Sequence, residues 1–310
     1  MKLNIIRAKI LIKYILNGNT RFNVNNEHGL YSNISDEKFL KKMFKIRTGY
    51  DLDLNRPITY QEKMQWLKLY DRKDLYTIMA DKIKMKDFVS QKIGEKYVVP
   101  IIACWDSPKE IEVDKLPNQF VLKCNHNSGT GMYICKDKSS MRIGTIKKNL
   151  EKGMKEDYFT YAREWPYKNI ERKVFAEKYL ENNDGSEITE YKVLCFEGKA
   201  KLVELILNRF KGNATQDFYT PDWVKTEIYE NDIPPSDNEF VRPENLSRII
   251  ELSEILAEGI HHLRVDWYEV NGKIYVGELT FFDGGGFSLF YPQKYNEIIG
   301  SWIQLESEEM

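Results

Sequence analysis

The sequence predicts an α+β protein in which a helical N-terminal region precedes strands that pair antiparallel across short turns. Three observations support this fold class. Helical periodicity and capping signals are concentrated in residues 1 to about 90. Beyond them, apolar segments of strand length flank turns rich in glycine and asparagine. The 310 residues, 42% of them hydrophobic and 13% aromatic, are enough to bury a large core in two or three lobes.

Three helices are predicted in the first third of the chain. Ser35-Asp36-Glu37-Lys38 is typical of an N-capped helix start, and residues 60–69 have helical periodicity. Pro57 separates the two. A further capped helix is predicted near residues 81–94 and a strand at residues 98–105.

Strands and helices alternate in the rest of the chain. The predicted elements are, in order, strands at 120–124 and 132–135, a helix through 154, an extended segment at 175–180, a strand pair at 191–196 and 200–208, and a helix at roughly 243–263.

Composition and motifs exclude several classes of function. The net charge of −1 gives no global reason to expect nucleic-acid binding. The four cysteines form no CxxC pair, which is typical of a reduced cytoplasmic protein, and the four histidines lack zinc-ligand spacing. The sequence contains no Ser-His-Asp hydrolase motif and no segment long enough to span a membrane.

Residues 1–16 are open to two interpretations. They are rich in isoleucine and leucine, and interspersed basic residues interrupt any signal-peptide core. We favour a helix that packs on the rest of the protein. The alternative is a basic amphipathic helix that makes peripheral contact with the inner face of a membrane.

The most informative segment is residues 263–281, which has the pattern of two strands joined at Asn271-Gly272. Period-2 alternation predicts an apolar face formed by Leu263, Val265, Trp267, Tyr275, Leu279 and Phe281. It predicts a polar face formed by Arg264, Asp266, Glu278 and Thr280. Each of these charged groups would cost several kcal/mol if buried without a partner. A divalent cation with a bound phosphate is the predicted partner, and a hairpin with one solvated face is the alternative.

The length of the turn decides whether the two carboxylates share a face. A two-residue turn would place Asp266 opposite Gly277 and direct Asp266 and Glu278 to opposite faces. A three-residue loop, with Gly272 in the left-handed region, would place them on the same face. The sequence therefore predicts the three-residue loop or an equivalent bulge.

A second candidate site lies at Lys123, inside an apolar strand that precedes the loop at residues 125–131. A buried lysine needs an anionic partner, and loop amides near Gly129 and Gly131 can point at phosphate oxygens. The loop matches neither the Walker pattern nor the GxGxxG fingerprint.

The order of these groups resembles the ATP-grasp superfamily, in which two α+β lobes clamp ATP between antiparallel sheets. The resemblance implies ATP and Mg²⁺ as cofactors. It also implies a helical N-terminal region at residues 1–75, a pre-grasp segment at 76–117, a small lobe with the glycine loop at 118–180 and a large lobe with the metal site at 181–310.

The resemblance also implies which residues bind the nucleotide. They are the phosphate-binding Lys82 and Lys123, the loop residues Ser128, Gly129, Thr130 and Gly131, the hinge residues Glu177, Lys178 and Leu180, and Glu190 or Glu187 at the ribose.

The remaining residues of the implied site would hold the metal and the reacting groups. Asp266 and Glu278 would hold Mg²⁺, and Thr280 is the third candidate ligand because it stands where many members have asparagine. Lys192 would lie near phosphate, and Arg264 would stabilise the acyl-phosphate and tetrahedral species. Substrate and oxyanion contacts would come from Gly284, Gly285 and Gly286.

A closer resemblance, to the teichuronopeptide-biosynthesis (TupA-like) branch, covers nearly the whole chain. It is carried by residues 81–82, 120–126, 164–170, 191–196 and 277–281. That branch is associated with bacterial capsules and cell-wall polysaccharides.

The string at residues 164–168 has no role in the general superfamily pattern. Trp165 and Tyr167 would either stack on a sugar ring, with Lys168 pairing a uronate or phosphate, or anchor a loop in the core. Arg209 is the candidate carboxylate-binding residue, since a guanidinium matches that group's geometry.

The residues and the resemblance together predict an ATP-dependent carboxylate–amine ligase in cell-surface polysaccharide synthesis. Its acid would be a uronic acid or an amino acid. A sugar kinase on the same scaffold is the closest alternative. A glycosyltransferase is disfavoured because the only Asp-x-Asp string, Asp51-Leu52-Asp53, lies in the helical region. A non-catalytic ATP-binding module would not need both Asp266 and Glu278. The sequence does not specify the acid, the amine or the oligomeric state.

Overall fold

A computed structural model describes residues 14–207, 212–230 and 233–305. Its helices are α1 (Gly18–Glu27), α2 (Asp36–Thr48), α3 (Tyr60–Tyr70), α4 (Asp74–Ala80), α5 (Lys84–Ile93), α6 (Ile143–Lys155), α7 (Phe159–Ala162), α8 (Leu246–Leu256) and α9 (Tyr295–Ser301). Its strands are β1 (Ile101–Trp105), β2 (Phe120–Cys124), β3 (Met132–Cys135), β4 (Val174–Lys178), β5 (Thr189–Phe196), β6 (Lys199–Leu207), β7 (Thr215–Tyr219), β8 (Tyr229–Glu230), β9 (His262–Val270), β10 (Lys273–Thr280) and β11 (Phe290–Tyr291).

The predicted α+β architecture with antiparallel sheets and a helical N-terminal region is confirmed. The helix starts follow local capping, because Ser35 accepts from Lys38 N, and Thr59 and Glu62 form a capping box. Of the predicted N-terminal helix, residues 1–13 lie outside the described ranges. None of the helices that the structure describes is long and apolar enough to cross a membrane.

The smaller of the two main sheets has the strand order β1-β4-β2-β3, with antiparallel neighbours. One face packs on α6 through a cluster that includes Phe120, Leu122 and Leu150. Alternation therefore turns Val121 and Lys123 to the opposite face. Strand β1, which lies in the predicted pre-grasp segment, pairs with β4 and so belongs to this sheet.

The larger sheet has the strand order β10-β9-β5-β6-β7, with antiparallel neighbours. One face packs on α8, where Trp267 is fully buried and donates Nε1–H to Ser253 Oγ at 2.8 Å. Helix α8 ends at Leu256, and β9 begins at His262, so the predicted helix at 243–263 is too long. Ala257 and Ile260 lie in the connection between the two elements, and Leu263 belongs to the core strand and not to the helix.

The β9–β10 hairpin has a different turn from the one predicted. Val270 pairs with Lys273, so Asn271-Gly272 is a two-residue turn, with φ of 51° and 72° at its two residues. The three-residue loop is therefore wrong, but the equivalent bulge is present, because the register shifts between Val276 and Glu278. The bulge brings Glu278 opposite Asp266.

The same register corrects the predicted apolar face. Tyr275 pairs with Tyr268, and Val276 pairs with the buried Trp267. Val276, and not Tyr275, therefore lies on the face that packs on α8.

A buried histidine in the larger sheet predicts loss of stability in acid. Burial lowers the pKa of His262 to about 4, and its ring packs between Phe196 and Tyr60. Because the unfolded state binds a proton near pH 6.5 and the folded state does not, stability is lost as pH falls from 6.5 toward 4. Between pH 7 and pH 5 we expect this histidine to contribute a loss of about 2 kcal/mol.

His262→Phe, which retains an aromatic ring, should remove that share of the acid sensitivity. The measurement is the free energy of unfolding in urea at both pH values. An equal pH dependence in wild type and variant would contradict the prediction.

Candidate active site

A row of charged residues crosses one face of the larger sheet. Four neighbouring strands each contribute one charged residue, and each residue is paired in register with the next. In order they are Glu278 of β10, Asp266 of β9, Lys192 of β5 and Glu204 of β6. Directly opposed residues of antiparallel neighbours share a face. Adjacent strands lie about 4.8 Å apart, so the row extends over roughly 15 Å.

Arg264 is the centre of an ion-pair network beside this row. Its Nε and Nη2 donate to the two oxygens of Asp266 at 2.7 and 2.8 Å. Its Nη1 forms a close ion pair with Asp283, and its Nη2 contacts Thr280 Oγ1 at 3.4 Å. Burial would lower the pKa of Arg264, but Asp266 and Asp283 hold it well above its usual range. The site therefore contains a permanent buried cation.

Glu278 lies between a hydroxyl group and an amine. Thr280 Oγ1 donates to Glu278 Oε1 at 2.9 Å, and Lys82 Nζ lies 3.5 Å from Glu278 Oε2. Burial would raise the pKa of Glu278, but Lys82 and Arg264 lower it to about 2. Lys82 Nζ is buried and has no hydrogen-bond partner among the residues the structure describes. Its unused N–H donors suit a phosphate oxygen.

These residues fit a magnesium ion that binds together with phosphate. Within residues 14–207, 212–230 and 233–305, no group of three or more His, Cys, Asp or Glu side chains could hold a metal. Mg²⁺, however, commonly uses one or two carboxylates and completes its shell with substrate phosphates and water. Asp266 and Glu278 are two such carboxylates. Thr280 already contacts Glu278 and Arg264, and its role as a third ligand stays a prediction.

Two residues of the smaller sheet form an ion-pair triad with a lysine of α5. Glu177 forms a close ion pair with Lys123 and accepts a hydrogen bond from Lys86 Nζ at 2.9 Å. Burial would raise the pKa of Glu177, but Lys123 and Lys86 hold it below its usual range. Lys123 therefore already has a carboxylate partner within the sheet. Phosphate binding by Lys123 stays a prediction.

The first half of the glycine loop is fixed by hydrogen bonds. Asn125 Nδ2 donates to Asp81 Oδ1 at 2.9 Å, and Asn127 Nδ2 donates to Glu156 Oε2 at 2.6 Å. Both asparagines are buried. The segment is therefore attached to Asp81 and Glu156, the residues that directly follow α4 and α6.

The second half of the loop is more open at its tip. Ser128 and Gly129 are exposed, and Thr130 Oγ1 lies 3.4 Å from the Glu156 carboxylate. At Gly131, where φ is 72°, a Cβ would lie 2.7 Å from Cys124 Sγ. Close packing therefore requires glycine at position 131.

The other predicted nucleotide-binding residues follow from β4 into β5. Lys178 and Glu187 are exposed, Leu180 is half-buried, and Glu190 pairs with Tyr268. Burial, Glu190 and Glu177 raise the pKa of Tyr268 well above its usual value. Tyr268 therefore lies close enough to interact electrostatically with Glu190, in the predicted ribose contact, and with Glu177, in the predicted hinge.

The string at residues 164–168 packs into the core beside the site. Trp165 and Tyr167 are buried, which favours the loop-anchor interpretation over stacking on a sugar. Lys168 is exposed, with Nζ 4.8 Å from the centroid of the Phe159 ring. Glu164 is buried, and burial raises its pKa. This carboxylate interacts electrostatically with the charged residues Lys68, Asp283, Glu278 and Arg264.

Side chains of α3 donate hydrogen bonds to carbonyl oxygens of the glycine turn at residues 284–286. Lys68 Nζ donates to Gly285 O at 2.5 Å, and Gln65 Nε2 donates to Gly286 O at 2.8 Å. Gly285 N donates to Phe282 O at 2.9 Å. The predicted oxyanion role of the Gly285 amide is therefore not supported in this conformation, because the turn itself uses that N–H. Gly284 and Gly286 stay predicted substrate contacts.

Sequence reasoning missed several charged residues of this site, among them Asp283, Glu204 and Lys86. Asp283 directly precedes the glycines, and Glu204 lies in a predicted strand, so its alternation signalled an inward position. No local signal distinguishes Lys86 from a surface lysine. Arg209, the predicted carboxylate-binding residue, is outside the residues that the structure describes.

Comparison with known proteins gives a family and a set of distant structural neighbours. The family model described as TupA-like ATPgrasp matches residues 62–304. D-Alanine-D-alanine ligase from Helicobacter pylori is similar at 13% identity, with 79% of this chain and 69% of that chain covered and a TM-score of 0.45. The corresponding ligase from Bacillus anthracis is 16% identical, with 93% and 94% covered and a TM-score of 0.45. The ATP-grasp ligase PsnB, in complex with minimal precursor, Mg and ADP, is 10% identical, with 72% and 60% covered and a TM-score of 0.38. No curated protein matches the chain.

Proposed function

Since the chain belongs to the TupA-like ATP-grasp family of ATP-dependent ligases, we propose that it joins a carboxylate to an amine through an acyl phosphate. The proposal rests chiefly on one observation. The carboxylates of Asp266 and Glu278, which suit a metal ion, lie on one face of the larger sheet. The same face carries Lys192, which suits a phosphate, and Arg264, which is permanently charged.

The proposed reaction has two steps. A carboxylate oxygen of the first substrate attacks the γ-phosphorus of ATP, which gives an acyl phosphate and ADP. The nitrogen of an amine then attacks the acyl carbon, the bond to the phosphate oxygen breaks, and inorganic phosphate leaves. The activation comes from ATP, so the protein mainly positions the reactants and neutralises charge.

Each charged residue has a place in this scheme. Lys82 and Lys192 would bind phosphate oxygens, and Asp266 and Glu278 would hold the metal. Bound Mg²⁺ would neutralise charge on the transferring phosphoryl group. Arg264 is fixed by Asp266 and Asp283, so it presents its charge without reorganisation to an oxyanion that forms nearby.

On the smaller sheet and the hinge, the proposed roles follow the resemblance. Lys123, the loop residues 128–131 and the hinge residues 177–180 would contact the nucleotide, with Glu187 or Glu190 at the ribose. The four-region division into residues 1–75, 76–117, 118–180 and 181–310 is part of the same proposal, except that strand β1 of the second region pairs with β4 and joins the sheet of the third. We place the activity in cell-surface polysaccharide synthesis at the cytoplasmic side of the membrane.

The test is ADP release by the purified protein with ATP, Mg²⁺, a panel of uronic acids and amino acids, and hydroxylamine as a trap. A hydroxamate that forms with one carboxylate would demonstrate the acyl phosphate and identify the acid. ADP release with a phosphorylated sugar and no hydroxamate would replace the ligase with a kinase. Absence of both nucleotide binding and turnover would overturn the proposal.

A further inference from the structure

The row of charged residues continues beyond the predicted phosphate lysine to a buried group of oxygen atoms. Lys192 Nζ lies 3.9 Å from Glu204 Oε1. Gln216 of β7 donates Nε2–H to Glu204 Oε1 at 2.8 Å and contacts Glu230 Oε2 at 3.3 Å. The exposed fractions of Glu204 and Gln216 are only 2% and 3%.

Two acceptor atoms in this group have no hydrogen-bond partner in the part of the chain that the structure describes. Glu204 Oε2 and Gln216 Oε1 are both buried and both unpartnered among the described residues. Leaving a buried acceptor without a hydrogen bond is destabilising, so the pair calls for a ligand that donates hydrogen bonds. One of the two acceptors belongs to a carboxylate, so a cationic donor suits the site better than a neutral one.

We propose that Glu204 and Gln216 form the subsite that receives the ammonium group of the amine co-substrate. The proposal rests on the proposed function. An ammonium group has three N–H donors and no acceptor, which matches a carboxylate oxygen beside an amide oxygen. A metal ion fits less well, because the Gln216 amide nitrogen already occupies the space between the two carboxylates.

The position of the subsite suits the second substrate. Along the row, Glu278 and Asp266 come first, then Lys192, then Glu204. An amine bound at Glu204 is therefore on the far side of the transferring phosphoryl group from the metal carboxylates. Before the nitrogen attacks the acyl carbon, the ammonium group must lose one proton, and the carboxylate of Glu204 is placed to accept it. Burial raises the pKa of Glu204, and the charge of Lys192 only partly offsets this effect. A bound cation would favour the charged form of the Glu204 carboxylate.

A binding experiment tests the subsite without turnover. Thermal unfolding is compared in methylammonium chloride and in tetramethylammonium chloride at equal ionic strength, because the second cation has no N–H. We expect methylammonium to raise the Tm of wild type by about 2 °C or more relative to tetramethylammonium. The difference should disappear in Glu204→Gln and in Gln216→Met, and persist in Glu258→Gln, an exposed control. No difference in wild type, or an equal difference in Glu204→Gln, would overturn the subsite.

Steady-state kinetics separate the subsite from the proposed function. Hydroxylamine is uncharged near neutral pH, so it does not need a cation subsite. In Glu204→Gln we expect the KM of a cationic amine to rise at least about tenfold, with less than about a twofold change in the carboxylate's KM in the hydroxylamine reaction. Equal rises in both constants would overturn the assignment. If wild type forms no hydroxamate with any carboxylate, the ligase proposal fails, and the methylammonium comparison still decides the subsite.

Discussion

Glu278→Gln should lower the rate of ADP release by about 100- to 1,000-fold, because it removes one of the two carboxylates proposed to hold the metal. The glutamine has nearly the same shape and can still interact with Thr280. It cannot supply the negative charge that faces Lys82 at 3.5 Å. The measurement is the rate of ADP release as a function of Mg²⁺ concentration, in the presence of the carboxylate that supports turnover.

The metal dependence distinguishes loss of a ligand from general damage. If Glu278 binds Mg²⁺, the concentration for half-maximal rate should rise at least about tenfold in the variant. Glu258→Gln, which makes the same chemical change at an exposed position, should behave as wild type. A Glu278→Gln enzyme within about threefold of wild type, with unchanged metal dependence, would remove Glu278 from the site.

The position of Glu278 also shows how much of the site can be predicted from the local sequence. Asp266 and Glu278 are twelve positions apart in the sequence. With a two-residue Asn-Gly turn, hairpin positions that differ by an even number face opposite ways. Requiring them to share a face therefore predicts an extra residue in the hairpin. The extra residue could lie in the turn or within a strand, and only side-chain packing decides which position it takes. In the structure it is met at Gly277, where a Cβ would lie 2.6 Å from Tyr268 Cε2.

Other parts of the site depend on which strands become neighbours. Glu204 joins the row because β6 pairs with β5, and β5 with β9, a strand some seventy residues later in the chain. Lys68 is fully buried on α3, although helical periodicity alone is compatible with a surface position. Its three acceptors are Gln65, Ala162 and Gly285, two of which come from distant segments. Non-local pairing of this kind leaves no signal within a short window of sequence.

Arg264→Met should lower the free energy of unfolding by about 3–5 kcal/mol, because breaking a buried ion pair leaves its partners without compensation. Those partners are Asp266, which accepts two hydrogen bonds from the guanidinium, and Asp283, which forms a close ion pair with it. Burial opposes ionisation of Asp283, and Arg264 is the main cause that keeps its pKa low. Chemical denaturation measures the loss.

Adding Asp283→Asn to Arg264→Met should recover part of this stability without restoring turnover. The second change removes one uncompensated charge, so the effects on unfolding should be non-additive in a double-mutant cycle. Turnover should stay about 100-fold or more below wild type, because Arg264, the cation proposed to face the oxyanion, is absent. Additive losses of stability would show that the two residues do not interact in solution. Turnover that recovers with stability would mean that Arg264 only maintains the fold, and the oxyanion would then need a different donor.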